Sequence, residues 1–305
     1  MPNFRLENAM SRLNLVPRLA LFGAVALLAA CGGDNGGASS SAAATSGDTP
    51  HGAVLGSAEL LRKGDFVALV NASVPPARLE QAKQRFMADL KSEEITEERR
   101  AEFAQTMQRL TGPNAEAEMM AEIRPQLEQL QAPEMKAQLP AMIAMGKGFA
   151  LQAINEDQDM TATQKAQASG ILNAIASWAE TGQFAEINRA ERAVAAIVST
   201  ARSLPVKTLD EVYALDFNGM MGLFSTAFTG VKDIFKAYDI DLDRTLSTVR
   251  AETVSQDGDN ANVRVKMELL GAPLEFDTQM VRVDGRWYGK DTLDKLNESG
   301  AAAAN

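Results

Sequence analysis

The chain has 305 residues, of which 30 are basic and 40 are acidic, so its net charge is −10 at neutral pH. This acidic balance argues against nucleic acid as a partner and against a basic membrane-binding patch. The single histidine leaves no multi-histidine metal site and no histidine-based catalytic triad.

The first 30 residues carry the three parts of a secretory signal peptide. Three arginines precede an apolar run of 12 residues, Leu19 to Ala30, which ends in small side chains. Because about 20 apolar residues are needed to cross a bilayer core, the run predicts a signal peptide over residues 1–30 rather than a transmembrane helix. The long leader leaves both Met1 and Met10 as possible translation starts.

The segment Leu28-Ala29-Ala30-Cys31 completes that run. It resembles the lipobox of bacterial lipoproteins, in which a leucine and two small residues precede a cysteine. The resemblance implies cleavage between Ala30 and Cys31 and acylation of Cys31, the only cysteine of the chain, with palmitate as a typical acyl group. Two or three acyl chains anchor a protein stably in a membrane. In this family an aspartate after the cysteine favours the inner membrane, so Gly32 implies the periplasmic face of the outer membrane, with the inner membrane and the cell surface as alternatives.

Residues 31–50 contain no large apolar side chain and are rich in Gly, Ser and Ala. Chains of this composition are flexible, so we expect a tether. Removal of residues 1–30 takes away three Arg and one Glu, which leaves 27 basic and 39 acidic residues and a net charge of −12. We expect one folded domain over residues 51–298 and a disordered tail at 299–305.

Helices are predicted over about 58–238, because Pro is scarce there and strong helix formers are common. Gly64 is expected to break the first of them, and Thr96 is expected to cap a later one. Apolar side chains recur at helical spacing, which predicts helix faces turned toward a core. One such face comprises Leu139, Met142, Ile143, Gly146, Phe149 and Ala153.

The most apolar helical stripe lies between residues 217 and 238, and we expect it at the centre of the core. Three glycines in this segment also allow an adaptable apolar groove beneath the helix. The residues that would line the groove are Met221, Phe224, Phe228 and Phe235.

Toward the C-terminus the apolar period changes from that of a helix to that of a strand. Val263, Val265, Met267 and Leu269 alternate with polar residues, and glycine-containing turn signals flank them. Three or four antiparallel strands are therefore predicted over about 246–290, followed by a short helix. The predicted fold class is α+β, with a mainly helical N-terminal part packed on a C-terminal antiparallel sheet.

The segment VRVDGRWYGKD near the end of the chain is similar to the terminal hairpin of NTF2-like and cystatin-like α+β domains. The resemblance covers the C-terminal strands only. It implies a curved sheet, which in those domains often forms a cone that binds small ligands.

Several candidates for chemistry have plainer interpretations. His51 lies beside the tether and is expected to be a linker residue. The segment Gly146-Lys147-Gly148 lacks the spacing of a phosphate-binding loop, so we expect it to mark close helix packing. Met142 and Met145 form a pair suited to a soft metal such as copper, but methionines on apolar faces are more often core residues.

Asp239, Asp241 and Asp243 have the alternate spacing of calcium ligands. Arg244 and Arg250 stand where an EF-hand requires Gly and a bidentate Glu. We therefore expect the three aspartates on the solvated face of an extended segment and predict no metal site.

No catalytic signature is present, so the sequence predicts no enzyme and no cofactor. The expected function is that of a membrane-anchored periplasmic binding or scaffold module, which meets a protein partner through its acidic helical surface. The alternative is a carrier or sensor of a small apolar ligand held in a groove between the helices and the sheet.

Overall fold

The computed structural model describes residues 47–92, 94–158 and 160–302, with side chains described as far as residue 297. Ala30, Cys31 and most of the predicted tether lie outside these ranges. The helices are α1 (Pro50–Lys63), α2 (Phe66–Ser73), α3 (Pro76–Leu90), α4 (Glu97–Thr111), α5 (Ala115–Gln131), α6 (Pro133–Glu156), α7 (Ala162–Ala179), α8 (Ile187–Ser203), α9 (Leu209–Ala214), α10 (Phe217–Ala237), α11 (Leu242–Ser247) and α12 (Lys290–Ala302). The strands, which lie between α11 and α12, are β1 (Arg250–Asp257), β2 (Asn260–Leu269), β3 (Ala272–Val283) and β4 (Arg286–Gly289). The predicted α+β class, with a helical N-terminal part and a C-terminal sheet, is confirmed.

Side-chain caps explain where several helices begin. The predicted cap Thr96 is confirmed, since its side chain accepts a hydrogen bond from the backbone N–H of Arg99. Helix α1 begins at Pro50, earlier than the sequence predicted, because Thr49 caps it and Pro50 occupies its first turn. It ends as predicted at Gly64, which adopts the left-handed conformation with φ 71°.

The four strands form one antiparallel sheet in the order β1-β2-β3-β4. Alternate residues of β2 are buried, as the sequence predicted. This buried face packs against α1 and α7 and forms the largest apolar cluster of the described residues. The cluster comprises Val54, Ala58, Ala174, Val249, Ala261, Val263, Val265, Met267, Leu269, Leu274, Phe276, Met280 and Trp287.

Two hydrogen bonds tie the start of the described chain to the sheet. The backbone N–H of Trp287 in β4 donates to the carbonyl oxygen of Gly47 at 2.8 Å. His51 Nδ1 lies 3.2 Å from the hydroxyl of Thr253 in β1. His51 is therefore part of a helix packed on the sheet, and its interpretation as a linker residue was wrong.

The helical part has smaller apolar clusters of its own. One joins α5 to α8, and another joins α1, α2 and α11. The stripe on α10 was expected at the centre of the core, but Val231 and Phe235 are each more than a third exposed. The reason is that α10 packs mainly on one side, against α8 and α2, and buries Met220, Met221, Gly230 and Ala237 there.

The predicted core face of α6 is also wrong in part. Met142, Met145 and Phe149 are 51%, 62% and 67% exposed. Helix α6 packs mainly against α7 and α5, so its opposite side faces solvent. No atom of a neighbouring element in the described chain lies within 4 Å of a Cβ built at Gly146 or Gly148, so the predicted close helix packing there is wrong as well.

No helix of the described ranges combines the length and the hydropathy that crossing a bilayer requires. Helix α12 continues to Ala302, beyond the short helix that the sequence predicted and into the stretch 299–305 that was expected to be a tail.

Gly230 sets the distance between α10 and α8. A Cβ built at this position would lie 2.1 Å from Oγ1 of Thr200. We expect Gly230→Ala to lower the free energy of unfolding by about 1–3 kcal/mol, because overpacking forces the two helices apart. The measurement is urea unfolding followed by circular dichroism.

Gly222→Ala is the matched control on the same helix, since no atom lies within 4 Å of a Cβ built there. It should raise the free energy of unfolding by about 0.5–1 kcal/mol through helix propensity alone. Equal behaviour of the two variants would contradict the close approach of α8 and α10.

Candidate binding site

The four residues predicted to line a groove do not surround a common cavity. Met221 is buried in the helix contact. Phe224 packs edge-on against Phe86, and Phe228 packs edge-on against Phe66 with the ring centroids 5.5 Å apart. Neither of the two best-formed cavities of the described residues is lined by any of the four.

The first of these cavities lies between α7 and the β2–β3 hairpin and has a volume of about 180 Å³. Its lining combines apolar side chains with the polar residues Gln167 and Glu275, and its mouth is formed by exposed residues of α7 and β3. The lining residues are Ala166, Gln167, Gly170, Ile171, Met267, Pro273, Leu274, Glu275 and Phe276.

The cavity opens at a free edge of the sheet. The pairing of β3 with the short strand β4 covers only Met280–Val283, so among the described strands residues 272–279 have a neighbour, β2, on one side only. Successive side chains of a strand point to opposite faces of its sheet. The consecutive residues Pro273–Phe276 all line the cavity, which therefore meets β3 at its edge.

Gln167 is the unusual residue of this cavity. Its side chain is 5% exposed, yet neither Oε1 nor Nε2 has a hydrogen-bond partner among the described residues. Buried polar atoms are nearly always paired, and an unpaired one costs about 1–3 kcal/mol. Both atoms are shielded from solvent by neighbouring atoms, so a ligand in the cavity reaches this donor and this acceptor only when the lining side chains move.

Helix α7 places this amide through local features of the sequence. Thr161 and Gln164 form a capping box that fixes the start of the helix. One turn after Gln167, a Cβ at Gly170 would lie 3.0 Å from Cδ2 of Leu274, so the glycine lets the helix approach β3 closely. The result is a narrow cleft with Gln167 at its base.

Gln167 was not among the predicted site residues, although the sequence carries a signal for it. Gln167 shares a helix face with Ile171, Ala174 and Trp178, which follow it by four, seven and eleven residues. A single glutamine within an apolar face indicates either a buried hydrogen bond or a ligand contact.

Paired charges surround the mouth of the cavity. Glu275 lies 3.3 Å from Arg264 and 3.7 Å from Lys266 in two ion pairs. Arg264 also donates two hydrogen bonds to the carboxylate of Asp277, which lowers the pKa of Asp277. The acidic chain thus presents a nearly balanced set of charges here, which favours neither strongly anionic nor strongly cationic ligands.

The second cavity, of about 290 Å³, lies between α1 and α11. Its polar groups are satisfied, since Arg62 donates two hydrogen bonds of 2.7 Å to Glu59. These bonds lower the pKa of Glu59 to about 2 against the opposing effect of burial. A site whose polar groups are already paired is a weaker candidate for binding.

The three aspartates predicted on an extended segment have separate structural roles. Asp239 pairs with Arg189, Asp241 caps α11, and Asp243 pairs with Lys232. The prediction of an extended segment was wrong, because Asp241 caps helix α11, which begins at the next residue. Among the described residues, no group of three or more His, Cys, Asp or Glu side chains is placed to hold a metal ion.

Comparison with protein-family models, with curated proteins and with solved structures finds no match to this chain. The NTF2-like resemblance and the lipobox therefore stay predictions.

Replacement of the unpaired amide should stabilise the protein. We expect Gln167→Met, which keeps the shape and helix propensity of the side chain, to raise the free energy of unfolding by about 1–3 kcal/mol. The measurement is urea unfolding. Gln138→Met at an exposed position of α6 is the control and should change stability by less than about 0.5 kcal/mol. A destabilised Gln167→Met would mean that the amide has a structural partner.

The Glu59–Arg62 ion pair should contribute a pH-dependent stability. The folded-state pKa of Glu59 is about 2, below the ordinary value of 4.5, so the contribution is complete above pH 4.5 and declines as the pH falls toward 2. Because the pair is partly exposed, we expect Glu59→Gln to cost about 0.5 kcal/mol at pH 7 and less at pH 3. Urea unfolding at both pH values measures the difference, with the exposed Glu102→Gln as control. A cost that stays constant with pH would contradict the assignment.

Proposed function

We propose that this protein is a membrane-anchored periplasmic binding module that holds a small ligand, or part of a larger one, in the cavity between α7 and β3. The observation that carries the proposal is the buried, unpaired amide of Gln167 in the lining of this cavity. A ligand that both donates and accepts a hydrogen bond would satisfy this amide. The proposal follows the carrier alternative, at a site different from the predicted groove.

The size of the cavity indicates how much of a ligand it holds. Apolar protein cavities of about 150 Å³ accommodate a benzene-sized molecule. A volume of about 180 Å³ therefore suits one small ring or one branched side chain together with a single polar group. Larger ligands would extend past the mouth at Pro273 and Glu275 into solvent.

Binding is favoured over catalysis by the chemistry of the lining residues. The amide of Gln167 neither gives up nor takes a proton at ordinary pH. The one carboxylate of the lining, Glu275, is exposed at the mouth and paired with Arg264 and Lys266. A general acid–base mechanism would need carboxylates of different pKa facing the same ligand.

Acyl groups on Cys31 would hold the module at a membrane, for which the outer membrane is favoured by Gly32. From Cys31 to the first described residue, Gly47, the chain comprises about 16 residues of Gly, Ser and Ala character. For a Gly/Ser-rich chain of this length the expected root-mean-square length is roughly 20–25 Å. The binding module would therefore remain within a few nanometres of the membrane.

The anchor is tested by Cys31→Ala. We expect the variant to lose acylation and the cleavage between Ala30 and Cys31, because the thiol is alkylated before the leader is cut in this family. Mass spectrometry of the N-terminus measures both effects, with Ser39→Ala in the tether as control. Unchanged processing would contradict the lipoprotein assignment.

The ligand site is tested with benzamide, whose ring fits the cavity and whose amide complements Gln167. We expect the full chain in detergent to bind it with a dissociation constant on the order of 1 mM, about −4 kcal/mol. Saturation-transfer NMR measures binding, and the side-chain N–H resonances of Gln167 should shift on addition.

Ala166→Phe places a ring at the mouth of the cavity and should abolish benzamide binding. Ala162→Phe is the matched control, since Ala162 is an exposed residue of the same helix that does not line the cavity. Benzamide binding that survives Ala166→Phe, or that leaves the Gln167 resonances unmoved, would contradict the proposal.

A scaffold function remains a second proposal because of the exposed apolar stripe on α6. Met142, Met145 and Phe149 follow one another at helical spacing, and the partly exposed Lys147 is the one charged residue between Lys136 and Glu156. An exposed apolar surface of this kind is typical of a protein contact. Photo-crosslinking in cells from position 149 should capture a defined partner that the exposed position 102 on α4 does not capture. Identical products from both positions would contradict this second function.

A further inference from the structure

The free edge of β3 presents backbone groups beside the cavity. The backbone N–H of Arg282 donates to Asp259 on the β2 side at 2.8 Å. Backbone groups of successive strand residues point to alternate sides, and the β2–β3 register is regular from Ala272 to Val281. The N–H and C=O groups of Glu275 and Asp277 therefore point away from β2, toward the free edge.

The position of Pro273 agrees with this direction. Proline lacks a backbone N–H and occurs in sheets where that group would face away from a partner strand. Pro273 is two residues before Glu275, so its backbone also points away from β2, as those of Glu275 and Asp277 do. Its carbonyl oxygen adds one acceptor to the edge.

We propose that an extended peptide segment of a partner protein binds here by adding a strand to the free edge of β3, with one apolar side chain in the cavity and one peptide group on Gln167. This proposal rests on the proposed binding function and names its ligand class. Strand addition uses main-chain hydrogen bonds for affinity and a pocket for alternate side chains for selectivity. A peptide group carries one donor and one acceptor, which is the pair that the Gln167 amide requires.

The chain's own tether does not fit the site. Residues 32–46 contain no large apolar side chain that would fill the cavity of about 180 Å³. A second copy of the protein does not fit either, because the apolar side chains of its own β3 edge, Leu274 and Phe276, are buried in its own core. A partner peptide with a residue such as Leu supplies both the backbone and the side chain.

The test uses a peptide of sequence Thr-Thr-Leu-Thr-Thr with blocked termini and a fluorescent label, and the full chain in detergent. Threonine favours the extended conformation, and the central leucine is the residue for the cavity. We expect saturable binding by fluorescence anisotropy. Replacement of the leucine by alanine, or methylation of two backbone nitrogens on the hydrogen-bonding side, should each weaken binding at least tenfold.

Two variants at one position separate backbone from side-chain effects. Glu275→Pro removes the outward N–H and leaves the pairing with β2 intact, whereas Glu275→Ala removes the carboxylate and keeps the N–H. We expect peptide binding to fall at least tenfold in Glu275→Pro relative to Glu275→Ala. Circular dichroism and benzamide binding show whether each variant is folded with an intact cavity.

The outcomes distinguish this proposal from the proposed function. Benzamide binding without peptide binding would overturn strand addition and leave the ligand site in place. Absence of both would overturn the two together. Equal peptide binding by Glu275→Pro and Glu275→Ala would overturn the edge as the binding element. A dimer of the full chain that Glu275→Pro converts to a monomer would assign the edge to a second copy and overturn the partner peptide.

Discussion

The contact of α1 with the buried face of the sheet is the constraint on which the rest of the fold depends. The sheet supplies the largest apolar surface of the described chain, and Val54 and Ala58 cover part of it. The hydrogen bonds from Trp287 to Gly47 and between His51 and Thr253 lie at the same junction. Helices α2 to α11 thus lie, in sequence, between two segments that are about 200 residues apart and adjacent in space.

The β3 edge of the same sheet is only partly covered by a neighbouring strand. Strand β4 has four residues because the chain turns into α12 at Lys290, so it covers only part of β3. Natural sheets usually protect such edges with charges, prolines or packed elements. Here Pro273 and the charges of Glu275 and Asp277 lie along the edge, while α7 lies beside it and leaves a cleft. The edge of β3 can therefore be protected against pairing with unrelated strands and still admit one kind of ligand through the cleft.

The elements that the sequence predicted well are those decided by local chemistry. The alternation of Val263, Val265 and Met267, the cap at Thr96 and the break at Gly64 depend on neighbouring residues and on the backbone. The features that the sequence did not predict depend on which other element packs against a given helix face. The apolar spacing of Met142 and Phe149 is the same whether or not a neighbouring helix covers them, and no helix of the described ranges covers that side.

The candidate site was missed for a related reason. The sequence contains Gln167 on an apolar helix face, but only the packing of α7 beside β3 determines that its amide is buried without a partner. The aspartates near α11 show the opposite case, in which a suggestive spacing is explained by ordinary caps and ion pairs. The spacing of side chains in the sequence shows which residues could act together. The packing around them determines whether their polar groups are left unpaired or are used in caps and ion pairs.

The junction of α1 with the sheet also governs the order in which the protein becomes stable. Helix α1 lies near the start of the described chain, and its partner strands β1 to β4 lie near the end. If the chain enters the compartment in which it folds from its N-terminus, α1 arrives before the surface that covers Val54 and Ala58. During that interval the apolar side of α1 is open to other partners, so a chaperone that meets the entering chain would act on this helix before it acts on the completed fold.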